Sequence, residues 1–173
     1  RRGTVGLKTA EIVAFGDSAF ANAAGLKSQF GVTVSLTHEP AKFATGSYDL
    51  GLPLSWTSST VKRVVRSTLS AEAYAISEAT ETAQWVRQVL QEIFCGSSRA
   101  PSLADVERDS ARRKITVRTD SDNLVTTTLK DAGVIQDKRL RIVVRMLRQV
   151  FGSRSENILL LWITTLMMLA DGL

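Results

Sequence analysis

Two aspartates each follow a segment whose residue pattern predicts a buried strand. Asp17 comes just after the apolar run at 12–15, and Asp120 directly follows the alternating segment 114–119. Open α/β sheets build their sites at the carboxyl ends of such strands, so the pair predicts a shared acidic site. Each aspartate also precedes a serine, and for either residue alone a turn or a helix cap is the simpler interpretation.

Glu72 and Asp171 are two further acids in apolar surroundings. Glu72 lies seven residues before Ala79 on the apolar stripe of a long predicted helix, so its carboxylate would face the sheet. A buried acid is usually paired with a base or bound to a metal. The alternative for Glu72 is a fringe position in the first helical turn, where the helix dipole favours an acid. Asp171 has no basic residue near it between 157 and 173, and its alternative is a solvated chain end.

Together these acids have the chemistry of a magnesium site. Mg²⁺ takes hard oxygen ligands, and waters and phosphate oxygens complete its coordination. Two such ions about 4 Å apart can activate water and stabilise the leaving oxygen of a phosphodiester. We therefore expect a Mg²⁺ site, in which Mn²⁺ could replace Mg²⁺. The expected catalytic and metal-binding residues are Asp17, Glu72, Asp120 and Asp171.

The composition disfavours several other kinds of site. The chain has 173 residues, of which 44% are hydrophobic and 23% are charged, as expected for one globular domain spanning 1–173. Its single cysteine, Cys95, cannot form an intrachain disulfide or a zinc cage. Its single histidine, His38, disfavours Ser-His and Cys-His catalysis. Carboxylates are therefore the expected catalytic groups.

The apolar pattern predicts a mixed α/β fold. Five strands are predicted, at 12–15, 30–36, 53–57, 114–119 and 159–163. Helices are predicted at 68–94, 121–132 and 137–151 and after the last strand. This order predicts a five-stranded mixed sheet that begins with three antiparallel strands and carries helices on both faces. The segment 1–10 is a lead, and 39–52 and 96–113 are predicted loop insertions. Residues expected to pack in the core include Trp56, Tyr74, Trp85 and Trp162.

The chain carries no pattern typical of secretion or of a membrane span. No long apolar region follows the first basic residues, so no signal peptide is predicted. The most apolar stretch, at 158–170, is shorter than the roughly 20 residues that cross a bilayer, and it is interpreted as core. We expect an intracellular protein, in a cytoplasmic particle or the nucleus, with no membrane partner.

Basic residues are concentrated at two places. The net charge is +5. The helix at 137–151 is predicted to have an apolar face and a basic face, which could contact phosphates or could simply be solvated. A second basic group leads into the helix that carries Glu72. For a partner that contains RNA, three polar side chains near the acids are candidates for contacting its 2′-hydroxyl groups. The predicted nucleic-acid-binding residues are Lys62, Arg63, Arg66, Lys138, Arg141, Arg145, Arg148, Ser18, Ser70 and Asn123.

Four segments, in order, resemble the ribonuclease H domain of copia-type retrotransposon polyproteins. The strongest is Ser55-Trp56 followed by RSTLSAEAYAISEA at 66–79, which is similar to the family's "SW.S.....V..SS.EAEY.AL.EA" pattern. It is followed by QWVR at 84–87 and VRTDSDN at 117–123. The ending LADGL at 169–173 is similar to the family's "LAD.LTK". The resemblance runs from about residue 12 to residue 173.

The resemblance implies a ribonuclease H fold and cleavage of the RNA strand of RNA:DNA hybrids. It also implies that Asp17, Glu72, Asp120 and Asp171 bind two Mg²⁺ ions. Such a chain would be a module of a longer polyprotein, with a reverse transcriptase domain N-terminal to it. Three alternatives stay open: an active enzyme, a decayed or domesticated copy that binds nucleic acid without cutting it, and another nuclease of the same fold, such as a junction resolvase.

Three departures from the family pattern bear on this choice. SAFA at 18–21 follows the first aspartate, where the family has an acidic or small residue and then tryptophan. KRLRI at 138–142 replaces a Lys-His-Ile-Asp-like run. The segment TTLMM at 164–168 contains no histidine that could assist product release, as is also usual in the family.

Overall fold

The computed structural model describes residues 10–23, 27–38, 51–62, 65–95, 104, 113–130, 135–154 and 156–171. The strands are β1 (Glu11–Ala23), β2 (Lys27–Thr37), β3 (Leu52–Thr60), β4 (Ile115–Thr119) and β5 (Ile158–Trp162). The helices are α1 (Thr68–Cys95), α2 (Asp122–Leu129) and α3 (Lys138–Gly152), and a short 3₁₀ turn covers Thr165–Met167. The predicted lead and most of the two predicted insertions lie outside the described residues.

The five strands form one mixed sheet in the order β3-β2-β1-β4-β5. The pairs β1 with β2 and β2 with β3 are antiparallel, whereas β1 with β4 and β4 with β5 are parallel. This arrangement confirms the predicted five-stranded mixed sheet with three antiparallel strands first. The sheet therefore has a parallel half, where β4 lies between β1 and β5.

The first strand is much longer than the sequence pattern predicts. We expected the strand at 12–15 to end in a turn at Asp17, but β1 continues to Ala23. The reason is its antiparallel ladder with β2, in which Asp17 lies opposite Gly31 and Ser18 opposite Phe30. These pairings keep the backbone extended through residue types that usually favour turns. The prediction that Asp17 stands at the end of its strand is therefore wrong.

All three described α-helices pack on the same face of the sheet. Because strand side chains alternate between faces, Ile12 and Ala14 of β1 share a core with apolar residues of the three helices. Val13 and Phe15 point to the opposite face, where they pack with Ile163, Met168 and Ala170. In the described part of the chain, this second face is covered by the segment after β5 and not by a long helix.

Each of the three described α-helices begins after a residue whose side chain accepts hydrogen bonds from the first helical turn. Ser67 precedes α1, and its hydroxyl accepts a hydrogen bond from the backbone N–H of Ser70. Ser121 caps α2 by accepting from the N–H of Leu124. The Asp137 carboxylate caps α3 by accepting from two backbone N–H groups. We predicted that helices begin at residues 121 and 137. These two residues are the N-caps, and α2 and α3 begin directly after them.

The predicted helix after β5 does not form among the described residues up to Asp171. A single 3₁₀ turn covers Thr165–Met167 instead. Met168 and Ala170 are buried against the sheet, whereas Leu166 is fully exposed. These two buried residues are two positions apart, whereas an amphipathic helix buries residues three or four positions apart. The chain therefore crosses the sheet in an irregular conformation. Among the described residues, no helix has both the length and the apolar character to span a bilayer.

The three tryptophans are not core residues, so that prediction is wrong. Trp56 is 68% exposed, Trp85 63% and Trp162 50%. Trp56 lies on β3, an edge strand of the described sheet, where one flank has no neighbouring strand. Trp85 lies outside the buried stripe of α1. Tyr74, which we also expected in the core, is half-buried.

Candidate active site

Gly16 allows α1 to lie directly against β1. A methyl group at this position would be 2.9 Å from the backbone oxygen of Ala75 and 3.1 Å from Cβ of Ala79. Neither contact leaves room for a side chain, so the helix can approach this closely only because residue 16 is glycine. Asp17 is the next residue on the strand, and Glu72 is one turn before Ala75 on the helix. The close approach therefore brings the two acids together.

The parallel pairing of β1 with β4 adds Asp120. In this ladder Phe15 lies opposite Arg118, so two residues further along each strand Asp17 is level with Asp120. Asp17, Glu72 and Asp120 each offer an oxygen atom, and these atoms all lie within 4.8 Å of one another. Three distant parts of the sequence thus meet at one point, on the residues that the sequence pattern predicted.

Asp171 lies outside this cluster of three. Its side chain is exposed in the turn that follows the 3₁₀ segment. It is nevertheless near enough for its charge to raise the pKa of Asp17. The structure therefore places the fourth predicted acid at the margin of the cluster, beside Asp17.

Burial and mutual repulsion raise the pKa of two of the acids. Glu72 is 6% exposed, and burial raises its pKa to about 8, with smaller contributions from the charges of Asp17 and Asp120. The pKa of Asp17 is raised by burial, then by the charges of Asp120 and Asp171. Hydrogen bonds from Ser18 oppose both shifts without cancelling them. Ionising the cluster is therefore costly unless a cation neutralises it.

The donor set fits a hard divalent cation. Oε1 of Glu72 accepts a hydrogen bond from the Ser18 hydroxyl at 2.9 Å, whereas Oε2 is buried and has no hydrogen-bond partner among the described residues. A buried carboxylate oxygen without a partner is unfavourable, and a cation would satisfy it. Carboxylate oxygens are also the ligands that Mg²⁺ and Mn²⁺ prefer. Asp17, Glu72 and Asp120 are the residues that could hold such an ion.

Two contacts to Asp120 were missed by sequence reasoning. The Thr165 hydroxyl donates to Oδ2 of Asp120 at 2.8 Å. The indole N–H of Trp162 donates to the backbone oxygen of Asp120 at 3.0 Å. Both donors come from the end of β5 and the turn after it, about 40 residues from the acid along the chain. No local pattern signals such a contact. The only hint in the sequence is the polar pair Thr164-Thr165 within the otherwise apolar stretch at 158–170.

A groove between the starts of α1 and α3 gathers several predicted binding residues. Its volume is about 640 Å³. Arg66 and Ser70 line it from the α1 side, and Lys138 lines it from α3 together with Arg139, which we had not predicted. The hydroxyl of Ser70 accepts a hydrogen bond from Ser67. Three cationic side chains at one concave surface could bind the phosphates of a polyanion.

The other predicted binding residues are more dispersed. Arg141 and Arg145 are exposed on α3. Arg148 does not join this exposed face, because its guanidinium donates to the backbone oxygen of Thr127 at 2.7 Å. The group braces α3 against α2, and its role in phosphate binding stays a prediction.

Four of the predicted residues complete this set. Lys62 lines a second groove of about 580 Å³, which also contains Tyr74. Asn123 is exposed at the start of α2 and accepts a hydrogen bond from Thr127. Ser18, expected to contact 2′-hydroxyl groups, instead donates its hydroxyl proton to Glu72. Arg63 lies outside the described residues.

Comparison with known proteins identifies the fold. No family model matches the sequence, and no curated protein matches it. Among solved structures, the N-terminal RNase H domain of Rv2228c from Mycobacterium tuberculosis, fused to maltose-binding protein, is similar with a TM-score of 0.55. It is 14% identical, and the match covers 95% of this chain and 90% of that chain.

A second similar protein is LC11-RNase H1, which was isolated from compost by a metagenomic approach. Its structure has a TM-score of 0.55 at 19% identity, covering 94% of this chain and 91% of that chain. Its complex with an RNA/DNA hybrid has a TM-score of 0.53 at 18% identity, covering 94% and 93%. These matches confirm the predicted ribonuclease H-like fold.

Proposed function

We propose that this chain is a divalent-metal-dependent nuclease that hydrolyses the RNA strand of RNA:DNA hybrids. The observation that carries the proposal is the meeting of Asp17, Glu72 and Asp120, whose oxygen atoms lie within 4.8 Å of one another, on a ribonuclease H-like fold. Water is the nucleophile, so no covalent enzyme intermediate is expected. Asp171 is proposed as a fourth acid that acts at the margin of the site.

The acids of this chain have distinct roles in the proposed reaction. Two Mg²⁺ ions bound here would lower the pKa of water and stabilise the leaving oxygen. Asp17 and Asp120 hold the cluster from neighbouring strands, whose pairing fixes their separation. Glu72 contributes from α1, and its burial keeps bulk water away from one side of the site. Asp171, being exposed, can contact ions or substrate at the entrance.

The basic groove supports a nucleic-acid substrate. Arg66, Lys138 and Arg139 line it, and Ser70, which also lines it, lies two residues before Glu72 in the first turns of α1. Cationic side chains that contact phosphates bind without regard to base sequence. A hybrid whose RNA strand lies at the acids would place other phosphates on these cations. The RNA/DNA complex of LC11-RNase H1 supports the choice of a hybrid as substrate.

We propose a copia-type retrotransposon polyprotein as the parent of this chain, with a reverse transcriptase domain N-terminal to it. The support is the ordered run of motifs from Ser55-Trp56 through RSTLSAEAYAISEA at 66–79 to LADGL at 169–173. Reading the coding sequence upstream of the segment tests this origin. Reverse transcriptase motifs in the same frame are expected, and an unrelated upstream reading frame would contradict it.

A cleavage assay with three substrates tests the proposed activity. The purified chain is incubated with labelled RNA:DNA hybrid, duplex DNA and a four-way junction, each with Mg²⁺ or with EDTA. We expect Mg²⁺-dependent cleavage of the hybrid's RNA strand alone, leaving 3′-hydroxyl and 5′-phosphate ends. The variants Asp17→Asn, Glu72→Gln and Asp120→Asn should abolish it. Glu92→Gln, an exposed change on the same helix as Glu72, should not.

Other outcomes of this assay identify the alternatives. Salt-sensitive binding of the hybrid without any product would indicate a decayed or domesticated copy. Cleavage of the four-way junction but not the hybrid would indicate a resolvase. Hybrid cleavage that survives in Asp120→Asn would contradict the proposed site.

A further inference from the structure

The end of β5 and the turn after it hold Asp120 at two points. The Trp162 indole fixes its backbone oxygen, and the Thr165 hydroxyl fixes Oδ2 of its carboxylate. The side-chain contact is 2.8 Å long, a length typical of a strong hydrogen bond from a hydroxyl group. Asp120 therefore has its main chain and its carboxylate held by the same short stretch of chain.

This stretch is itself anchored to the sheet. The backbone N–H of Ile163 donates to the oxygen of Thr119 at 2.9 Å, which continues the ladder between β5 and β4. Three residues beyond Thr165, Met168 is buried with Phe15 and Val13 of β1. Thr165 thus lies between two fixed points, although its own side chain is exposed. Its hydroxyl can act as a fixed donor because the backbone that carries it is held on both sides.

Glu72 is held in a comparable way from β1. Ser18 donates its hydroxyl proton to Oε1, and Oε2 stays buried without a hydrogen-bond partner among the described residues. Ser18 directly follows Asp17, so the strand that supplies one acid also orients another. Each of the two carboxylates, Glu72 and Asp120, therefore has one oxygen occupied by a hydroxyl group from a neighbouring element.

We infer that Ser18 and Thr165 are positioning residues, whose hydroxyl groups fix Glu72 and Asp120 so that the carboxylates are oriented before a cation binds. The inference rests on the proposed metal-dependent function. Without these donors, the side chains of Glu72 and Asp120 would be free to rotate, and cation binding would have to reorder them. Groups that orient metal ligands from behind contribute substantially to metal affinity.

Manganese affinity tests the inference without relying on cleavage. Free Mn²⁺ is measured by electron paramagnetic resonance during titration of the whole chain. We expect Ser18→Ala and Thr165→Val to weaken Mn²⁺ binding by about 10-fold each, in the range typical of changes behind metal ligands. Thr165→Ser keeps the hydroxyl and should retain wild-type affinity. Thr164→Val is the matched control, because Thr164 is adjacent and exposed and makes no side-chain capping bond.

The outcomes separate this inference from the proposed function. Wild-type affinity in Thr165→Val, or equal weakening in Thr164→Val, would overturn the positioning role of Thr165 while leaving the metal site standing. A wild-type chain that binds no Mn²⁺ would overturn the proposed metal site itself. Urea unfolding of each variant shows whether the fold is intact. A Thr165→Val chain that is as stable as wild type and yet binds Mn²⁺ weakly is the expected result.

Discussion

Glu72 is a carboxylic acid in a position that favours its protonated form when no cation is bound. Its burial and its acidic neighbours raise the pKa from the ordinary value of 4.5 to about 8. The unfolded chain would release this proton near pH 4.5, whereas the folded chain keeps it until about pH 8. Over this interval the folded state holds more protons than the unfolded state, so its stability must fall as the pH rises.

Thermal unfolding in EDTA should therefore show a melting temperature that decreases between pH 5 and pH 8. Each unit of raised pKa corresponds to about 1.4 kcal/mol, so the total loss is on the order of a few kcal/mol. Glu72→Gln should flatten most of this dependence, and Glu92→Gln should leave it unchanged. Added Mg²⁺ should stabilise the wild-type chain more at pH 8 than at pH 5. An unaltered pH dependence in Glu72→Gln would contradict the assignment.

Gly16 shows how one small residue determines the geometry of the site. Its Gly16→Ala variant would place a methyl group 2.9 Å from the Ala75 oxygen, so α1 would have to move away from β1. We expect a loss of about 1–3 kcal/mol in the free energy of unfolding, together with weaker metal binding. Urea denaturation and the Mn²⁺ titration measure the two effects.

The control for this substitution is Gly152→Ala at the end of α3. A methyl group there would meet no atom within 4 Å. Because alanine has the higher helix propensity, this variant should match the wild type or exceed it by up to about 1 kcal/mol. If the two glycine variants lost equal stability, close packing at Gly16 could not be the cause of the loss in Gly16→Ala.

At the scale of elements, α1 is tied to the start of β5 by a partly buried ion pair. The Arg87 guanidinium donates to the backbone oxygen of Glu156 at 2.6 Å and to its carboxylate at 3.1 Å. The arginine side chain is 8% exposed and the glutamate side chain 40% exposed. The contact joins the middle of the long helix to the strand whose far end leads to Thr165, so it contributes to the frame that supports the site.

Removing either partner of this pair should have unequal effects. Arg87→Ala leaves the Glu156 oxygens without their donor and empties a buried space, and should cost about 1–3 kcal/mol. Glu156→Gln keeps the backbone acceptor and a side-chain oxygen, and should cost about 1 kcal/mol or less. Urea denaturation measures both, with exposed Arg145→Ala as a neutral control. An Arg87→Ala chain as stable as Arg145→Ala would show that the pair contributes nothing.

Elements whose residues repeat with a clear period were predictable from the sequence. The long apolar stripe of α1 and the alternation of β2 and β4 predicted those elements to within a few residues. The extension of β1 beyond Asp17 was not predictable, because it depends on pairing with β2 and not on local residue preference. The segment after β5 was misjudged as a helix because its apolar residues pack irregularly on the second face of the sheet.

The residues of the candidate site also divide into those that the sequence predicted and those that it did not. Asp17, Glu72 and Asp120 were predictable because each lies within or directly after a segment that is otherwise apolar. An acid in such a segment is unusual and therefore easy to recognise. The supporting contacts of Ser18, Thr165 and Trp162 join residues more than 40 positions apart, and only the folded chain brings them together. Trp162 was expected in the core, whereas its indole N–H instead donates to Asp120.

At the scale of the whole molecule, the acid cluster and the groove cations lie at different places, although Asp137, which caps α3, also lines the groove. The acids lie where β1, β4 and α1 meet, and burial, with a smaller contribution from their mutual repulsion, raises the pKa of Asp17 and Glu72. The cations Arg66, Lys138 and Arg139 lie at the nearby groove between α1 and α3. A net charge of +5 therefore understates both the acidic and the basic surface. Under the proposed function, the groove cations would hold a hybrid and the acid cluster would cut it.

The salt dependence of hybrid binding tests this division of labour. Affinity is measured in EDTA by fluorescence anisotropy at several salt concentrations, so that no cleavage occurs. Each phosphate contact contributes a slope of about 0.9 to the fall of log affinity with log salt concentration. Lys138→Ala and Arg139→Ala should each weaken binding and reduce the slope by about 1. Arg154→Ala, an exposed change beyond the end of α3, should do neither. If Lys138→Ala and Arg139→Ala kept the wild-type slope, the hybrid's phosphates would have to bind elsewhere on the molecule, and the groove would have no part in substrate binding.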